Sequence, residues 1–246
     1  MQLLTLTLPC PLHPGNIPAF RSAIIELVGQ EQHLFHNHDN RQPGADHHHY
    51  GYPLIQYQVR RGMATILGLN EGVQAIEQYL LPRLRPELEF AGQTHTLEGY
   101  HLHPHEYALQ LSERPQVFGL QGWLALNTEN YSRWKATDDE ADRKKILSSA
   151  LTGHLRSLME TLGTAAWRSL VEARVLQVDQ QKCIQWHGTE LVRFDVLAES
   201  NLRFPTGIGI GRVAAFGFGE VMSEKAYTRY REWASRQLPA ALEGEE

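Results

Sequence analysis

Three groups of residues in this chain have the types and spacing to do chemistry. The first is His36-Asn37-His38, with His33 just before it. Imidazole titrates near neutrality, so two of them together can divide proton abstraction from proton donation without a metal. In an extended segment, His36 and His38 point to one face; solvated loop histidines are the plainer alternative. The second is Phe204-Pro205-Thr206-Gly207-Ile208-Gly209-Ile210-Gly211-Arg212, followed by Gly217-Phe218-Gly219. Such glycine density lets a backbone approach a phosphate or another chain closely. Arg203 and Arg212 flank the loop and are the better phosphate-clamping cations. Gly209-x-Gly211-x-x-Ala214 mimics a dinucleotide fingerprint, but the 35 residues after Gly211 leave no room for that domain. The third group is Asp46-His47-His48-His49 and the alternating His101, His103 and His105. Adjacent imidazoles rarely reach one ion together, so a polar loop is the stronger reading, and no metal or other cofactor is expected. No Gly-x-Ser-x-Gly elbow, Walker loop or HExxH occurs.

These residues need elements to position them. Residues 2–8 alternate Leu4, Leu6 and Leu8 with Thr5 and Thr7, which reads as a strand. Asn16 then caps a helix with Pro18 in its first turn and Phe20, Ile24, Leu27 and Val28 on one face. Residues 39–50 are too polar for a core. Residues 53–60 alternate Ile55, Tyr57 and Val59 against Leu54, Gln56 and Gln58; residues 63–69 return after Arg61-Gly62 as a hairpin. Asn70 caps a second helix over 71–81, ended by Pro82, and a fourth strand at 87–90 completes the order β-α-β-β-α-β, the ferredoxin-like unit.

Pro104 and Pro115 bracket a boundary region. Beyond it come a strand at 117–126 and a long helix over 138–162, with Leu147, Leu151, Leu155 and Leu158 on a broad apolar face. Asp138 and Asp139 suit its N-terminus and Gly163 stops it. Strands at 171–178, 183–186, 191–199 and near Val221 precede a closing helix over 227–238. This reads as a second ferredoxin-like unit whose second helix is shortened or replaced by the Gly-rich loop. The expected fold is α+β: two tandem ferredoxin-like (RRM-like) domains, residues 1–105 with the histidine pair and 106–246 with the Gly-rich loop.

Composition narrows the function classes. At 246 residues with 42% hydrophobic side chains, the chain can build a packed core and is not a disordered tail. Two cysteines, Cys10 and Cys183, offer no disulfide framework, and no apolar run approaches a membrane span, so a soluble, cytoplasmic protein is expected. The net charge of −5 argues against indiscriminate nucleic-acid binding. It is unevenly placed: residues 1–116 carry 7 basic and 11 acidic side chains, residues 117–236 carry 16 and 14. A selective RNA binder with a local basic groove stays open.

The run Leu34-Phe35-His36-Asn37-His38, then Tyr52-Pro53-Leu54-Ile55-Gln56-Tyr57, then Gly68-Leu69-Asn70-Glu71-Gly72, resembles the N-terminal part of CRISPR-associated endoribonucleases of the RAMP superfamily that process precursor CRISPR RNA. Val192-Arg193-Phe194-Asp195, Gly207-Ile208-Gly209-Ile210-Gly211 and Gly217-Phe218-Gly219 resemble their C-terminal domain. The resemblance implies metal-independent cleavage of CRISPR repeat RNA by its own 2′-hydroxyl, leaving 2′,3′-cyclic phosphate and 5′-hydroxyl ends. It implies His38 as base and His36 as acid or phosphate contact, or the reverse. Tyr52 and Tyr57 follow as further catalytic candidates, and Arg60, Arg203, Gly207, Gly209, Gly211 and Arg212 as RNA contacts. The expected partner is repeat RNA, with other CRISPR-associated proteins as further candidates, no membrane, and a monomer or homodimer. A non-cleaving RNA-binding module of the same fold and a His-rich metal-binding protein are the competing readings.

Overall fold

The computed structural model describes residues 1–36 and 51–237. In the first half, β1 (Gln2–Pro11) leads into α1 (Ile17–Val28) and the single turn α2 (His33–His36). β2 (Ile55–Arg60) and β3 (Met63–Leu69) form the hairpin, and α3 (Glu71–Ala75) runs on as a π turn, Ile76–Leu80, and a 3-10 turn, Leu81–Arg83. β4 (Glu87–Phe90), β5 (Gln93–Thr96) and β6 (His101–Glu106) follow. The antiparallel sheet has the order β2-β3-β1-β6. Its inner face, with Leu4, Leu6, Leu8, Tyr57 and Ile66, packs on Phe20, Ile24 and Ile25 of α1.

Two expectations need correcting here. The fourth strand of the sheet is β6, not residues 87–90: β4 pairs only with β5, as a separate two-stranded ribbon. β6 escapes a pattern reading because it is an edge strand whose six residues are all exposed, so no apolar alternation marks it. The alternating His101, His103 and His105, read as a polar loop, lie on this strand opposite Thr7, Thr5 and Leu3.

The second half repeats the plan. β7 (Gln110–Trp123) is followed by α4 (Thr128–Lys135), α5 (Glu140–Thr161), β8 (Ala173–Trp186), β9 (Thr189–Arg203), β10 (Glu220–Ser223) and α6 (Glu224–Gln237). The sheet order β10-β7-β9-β8 is again fourth-first-third-second, the ferredoxin-like arrangement. The strands expected at 171–178 and 183–186 are one strand that begins at Ala173; register shifts at Val175/Gln177 and Val178/Gln180 break the alternation that would have joined them. Between β9 and β10 stands the Gly-rich segment with only a 3-10 turn, Ala214–Phe216, in place of a helix.

α5 is the central helix of this half, with Leu147, Leu151, Leu155 and Leu158 buried. Asp139 caps it, its Oδ1 accepting from Ala141 N–H at 2.7 Å and, less closely, from Asp142 N–H at 3.4 Å. Replacing Asp139→Ala removes an acceptor from the helix start; we expect a loss of about 1 kcal/mol, read as a melting temperature lower by roughly 2–4 °C for a chain of this size.

Candidate functional site

β2 is the strand on which the two halves meet. Its odd-numbered residues, Ile55 and Tyr57, face the first core, while Gln56 and Gln58 are buried on the other side, at 0% and 2% exposure. A buried amide must be hydrogen-bonded or it costs stability. Both glutamines find their partners on the Gly-rich segment. Gly209 N–H donates to Gln56 Oε1 at 2.7 Å, and Gly209 O accepts from Gln56 Nε2 at 3.2 Å and from the Tyr52 hydroxyl at 2.8 Å. Gly207 O accepts from Gln58 Nε2 at 2.9 Å and from Arg60 Nη2 at 2.6 Å. The glycines are needed for this approach: Gly207 has φ +85°, and a Cβ there would collide with the Arg60 guanidinium. Arg60 is further held by Gln58 Oε1 at 3.0 Å. Burial lowers the Arg60 pKa, and burial raises that of Glu220 nearby, against the pull of Arg60.

Beside this clamp lies a cleft of about 750 Å³ walled by both halves. The first half contributes Arg21, His36 and Tyr52; the second contributes His154 of α5, Trp186 and His187 at the tip of the β8–β9 hairpin, and Gly211-Arg212. His36 stands at the end of the α2 turn rather than in an extended segment, and is largely buried. Its Nε2 lies 2.8 Å from Gln30 O; a carbonyl only accepts, so this nitrogen carries the proton. Arg21 Nη2 donates to His36 O at 2.6 Å, and its guanidinium lies 4.7 Å from the centre of the Phe216 ring. Burial lowers the Arg21 pKa.

The other expected site residues fall in different places. His38 and the 47–49 histidines lie outside the described residues. Tyr52 lines the cleft with its hydroxyl turned to Gly209 O, whereas Tyr57 sits in the first core, edge-on to Phe20, its hydroxyl donating to Phe35 O at 3.1 Å. Burial pushes both phenols well above their ordinary pKa. Arg203 is exposed at the end of β9 and is not among the cleft residues. Arg212 is there, its Nη1 anchored on Leu126 O at 2.8 Å.

Four cleft residues carry no mark in the sequence reading: Arg21, His154, Trp186 and His187. His154 Nδ1 accepts from the Trp123 indole N–H at 3.3 Å. Burial, with the nearby Arg212 charge, lowers the His154 pKa from its ordinary 6.5 to about 4. The histidine at position 154 breaks an otherwise apolar helix face next to Leu155, and that interruption was the available signal.

The family model for the Cas6b N-terminal domain matches residues 1–107, and that for the Cas6b C-terminal domain matches residues 110–224. Among solved structures, a crystal structure of Cas6b is similar at a TM-score of 0.75 and 21% identity, covering 91% of this chain and 100% of that one. A crystal structure of the CRISPR RNA processing endoribonuclease Cas6b is similar at 0.66 and 18%, covering 90% and 99%. The type IV Cas6 crRNA endonuclease Csf5 follows at 0.53 and 14%, covering 91% and 98%. An uncharacterised protein of Methanocaldococcus jannaschii is 29% identical over 100 residues, which is 41% of this chain; the chain spans 66% of that protein's length.

Two outcomes follow from the geometry. Gln56→Leu leaves Gly209 N–H buried without its acceptor, and we expect about 1–3 kcal/mol less stability in urea unfolding. His154 adds a pH dependence. The unfolded chain takes up this proton near 6.5 and the folded chain only near 4, so its contribution is complete above pH 6.5 and is lost as pH falls toward 4. Melting temperatures of wild type should therefore drop across that window more steeply than those of His154→Gln.

Proposed function

The chain belongs to the Cas6b family, whose two domains it matches in order, and we propose that it is an endoribonuclease that cuts CRISPR repeat RNA in the cleft between its two halves. The observation that carries the reading is the convergence of His36, Arg21 and Arg212 on one cleft, from the two different domains. The ribose 2′-hydroxyl attacks the adjacent phosphorus: the O2′–P bond forms, the P–O5′ bond breaks, and the products are a 2′,3′-cyclic phosphate and a 5′-hydroxyl. One group must take the 2′ proton and another must give one to the leaving 5′ oxygen. His38 is the base. His36, held by Gln30 O on one ring nitrogen, acts as acid or phosphate contact, and the two roles can exchange. No metal is required, because both proton transfers and the charge stabilisation come from side chains.

Arg21 and Arg212 supply positive charge where the phosphorane develops its negative charge, in a walled site where such charges act more strongly than in water. The Gly-rich loop, Arg60 and Tyr52 set the spacing of the two walls through the clamp. Arg203, exposed outside the cleft, is a further candidate contact for the RNA backbone. The chain works inside the cell on RNA; among the described residues no helix is long and apolar enough to cross a membrane.

The test is cleavage of the repeat RNA encoded beside this protein's gene, in EDTA, with a matched RNA carrying one 2′-deoxy at the cut position. We expect a single cut with a cyclic phosphate end in the first and none in the second. His36→Ala and His38→Ala should each slow cleavage by about 10²–10⁴-fold. Full cleavage by the double variant would end the assignment; tight binding with no cut by wild type would make the chain a repeat-RNA-binding module instead.

A further inference from the structure

The second half of the chain contributes a histidine of a different kind to the cleft. His154 lies mid-way along α5, and its ring is edge-on to Trp123, with centroids 5.8 Å apart and planes at 86°. An indole N–H can only donate, so the 3.3 Å contact from Trp123 Nε1 obliges His154 Nδ1 to be the bare, accepting nitrogen. The proton of the neutral ring is therefore on Nε2. Among the described residues no hydrogen bond involves Nε2, nor is it a buried polar atom without a partner; the ring lines the cleft.

The surroundings keep this arrangement fixed. Trp123 is fully buried at the end of β7, so its indole does not swing away. Gly211, at φ +101°, packs so closely on that indole that a Cβ would come within 2.6 Å of it. Arg212 follows directly, its main-chain N–H donating to Leu124 O at 3.1 Å and its Nη1 to Leu126 O at 2.8 Å. A second proton on the imidazole would turn Nδ1 into a donor facing the indole N–H, beside the Arg212 cation. The charged groups and histidines around the cleft are Arg21 and His36 from the first half, and Arg212 and His187 from the second.

We propose that His154 is a catalytic residue of the second domain, a neutral Nε2–H donor that works with the Arg212 guanidinium to hold a non-bridging oxygen of the phosphate being cut. This rests on the cleavage reading above. The base and the acid must change protonation during the reaction, whereas His154 must not. Its depressed pKa agrees with that requirement: burial and the Arg212 charge lower it to about 4, so the ring is neutral near neutral pH. A donor held at a fixed angle is ready for the oxygen as its charge grows, with no reorganisation at the moment of reaction. The cut itself would then need both domains, one supplying proton transfer and the other holding the phosphate.

Two substitutions separate this role from packing. Asn places its amide oxygen near the Nδ1 position, so His154→Asn keeps an acceptor for Trp123 and removes the Nε2–H. Gln places its amide nitrogen near the Nε2 position, so His154→Gln keeps the donor. In single-turnover cleavage of repeat RNA in EDTA, we expect His154→Asn to lose about 10²-fold in rate, with RNA affinity changed by less than about threefold and an unaltered pH–rate profile. His154→Gln should restore most of that rate. Wild-type speed in His154→Asn, or equal losses in both variants, would overturn the proposal while leaving cleavage by His36 and His38 standing. A wild-type protein that does not cut would instead overturn the cleavage reading. In that case, or if His154→Asn loses its cooperative melt, ¹⁵N spectra of wild-type His154 decide. An Nε2–H resonance that shifts on adding the 2′-deoxy repeat RNA upholds the phosphate contact, and one that does not move refutes it.

Discussion

The rest of the structure depends on the docking of an open backbone loop onto the polar side of β2. Gln56 and Gln58 are as buried as core leucines, yet they carry amides that must be satisfied. They are satisfied by the main chain of Gly207 and Gly209, atoms that only a segment without side chains in the way can present. Each side depends on the other: without the loop the glutamines would be buried and unpaired, and without the glutamines the loop would bury bare peptide groups. Such reciprocal pairing is costly to half-break and sets the relative position of the two halves narrowly.

That position creates the cleft. Tyr52 belongs both to the clamp, through its hydroxyl on Gly209 O, and to the cleft wall. Gly211 and Arg212 continue from the same loop into the opposite wall, where Gly211 supports Trp123 and Arg212 turns back onto Leu126 O. The glycines of the loop thus have architectural duties in the first instance. Those at 207 and 209 face the first domain and the one at 211 faces the indole, so close approach to RNA is not required to explain them.

Most of the fold could be read from the sequence because its buried strands alternate cleanly. Leu4, Leu6 and Leu8 against Thr5 and Thr7 locate β1, and the Leu147 to Leu158 spacing locates α5. The second unit's missing helix was also legible, since a run of glycines and one proline leaves no helical face. What failed to show was whatever lacked a one-sided environment. β6 is an exposed edge, and β8 carries register shifts that reset its alternation. Gln56 and Gln58 alternate with Ile55 and Tyr57, but polarity in a strand says which side differs from the core and not what covers it. The site was half legible for the same reason. His36 and Arg212 stand beside recognisable runs, whereas His154 shows only as an interruption of the apolar face of α5, and Arg21 is a single polar residue on α1 that only the packing of one domain on the other tells from a surface residue.

The two imidazole environments in the cleft, one on each domain, differ in kind. His36 is tied by Nε2 to a carbonyl acceptor, a contact that tolerates a protonated ring, because the bonded nitrogen is a donor in either state. His154 is tied by Nδ1 to an N–H donor, a contact that a protonated ring would break. The contact thus survives either protonation state on one wall and only the neutral state on the other, and the difference lies in whether its partner is a C=O or an N–H. A histidine that transfers protons must hold its place in both protonation states, whereas one that serves as a fixed neutral donor need hold it in only one. In the proposed mechanism the two fall on separate domains, fixed against each other by the Gln56–Gly209 clamp, so each environment is set without compromising the other.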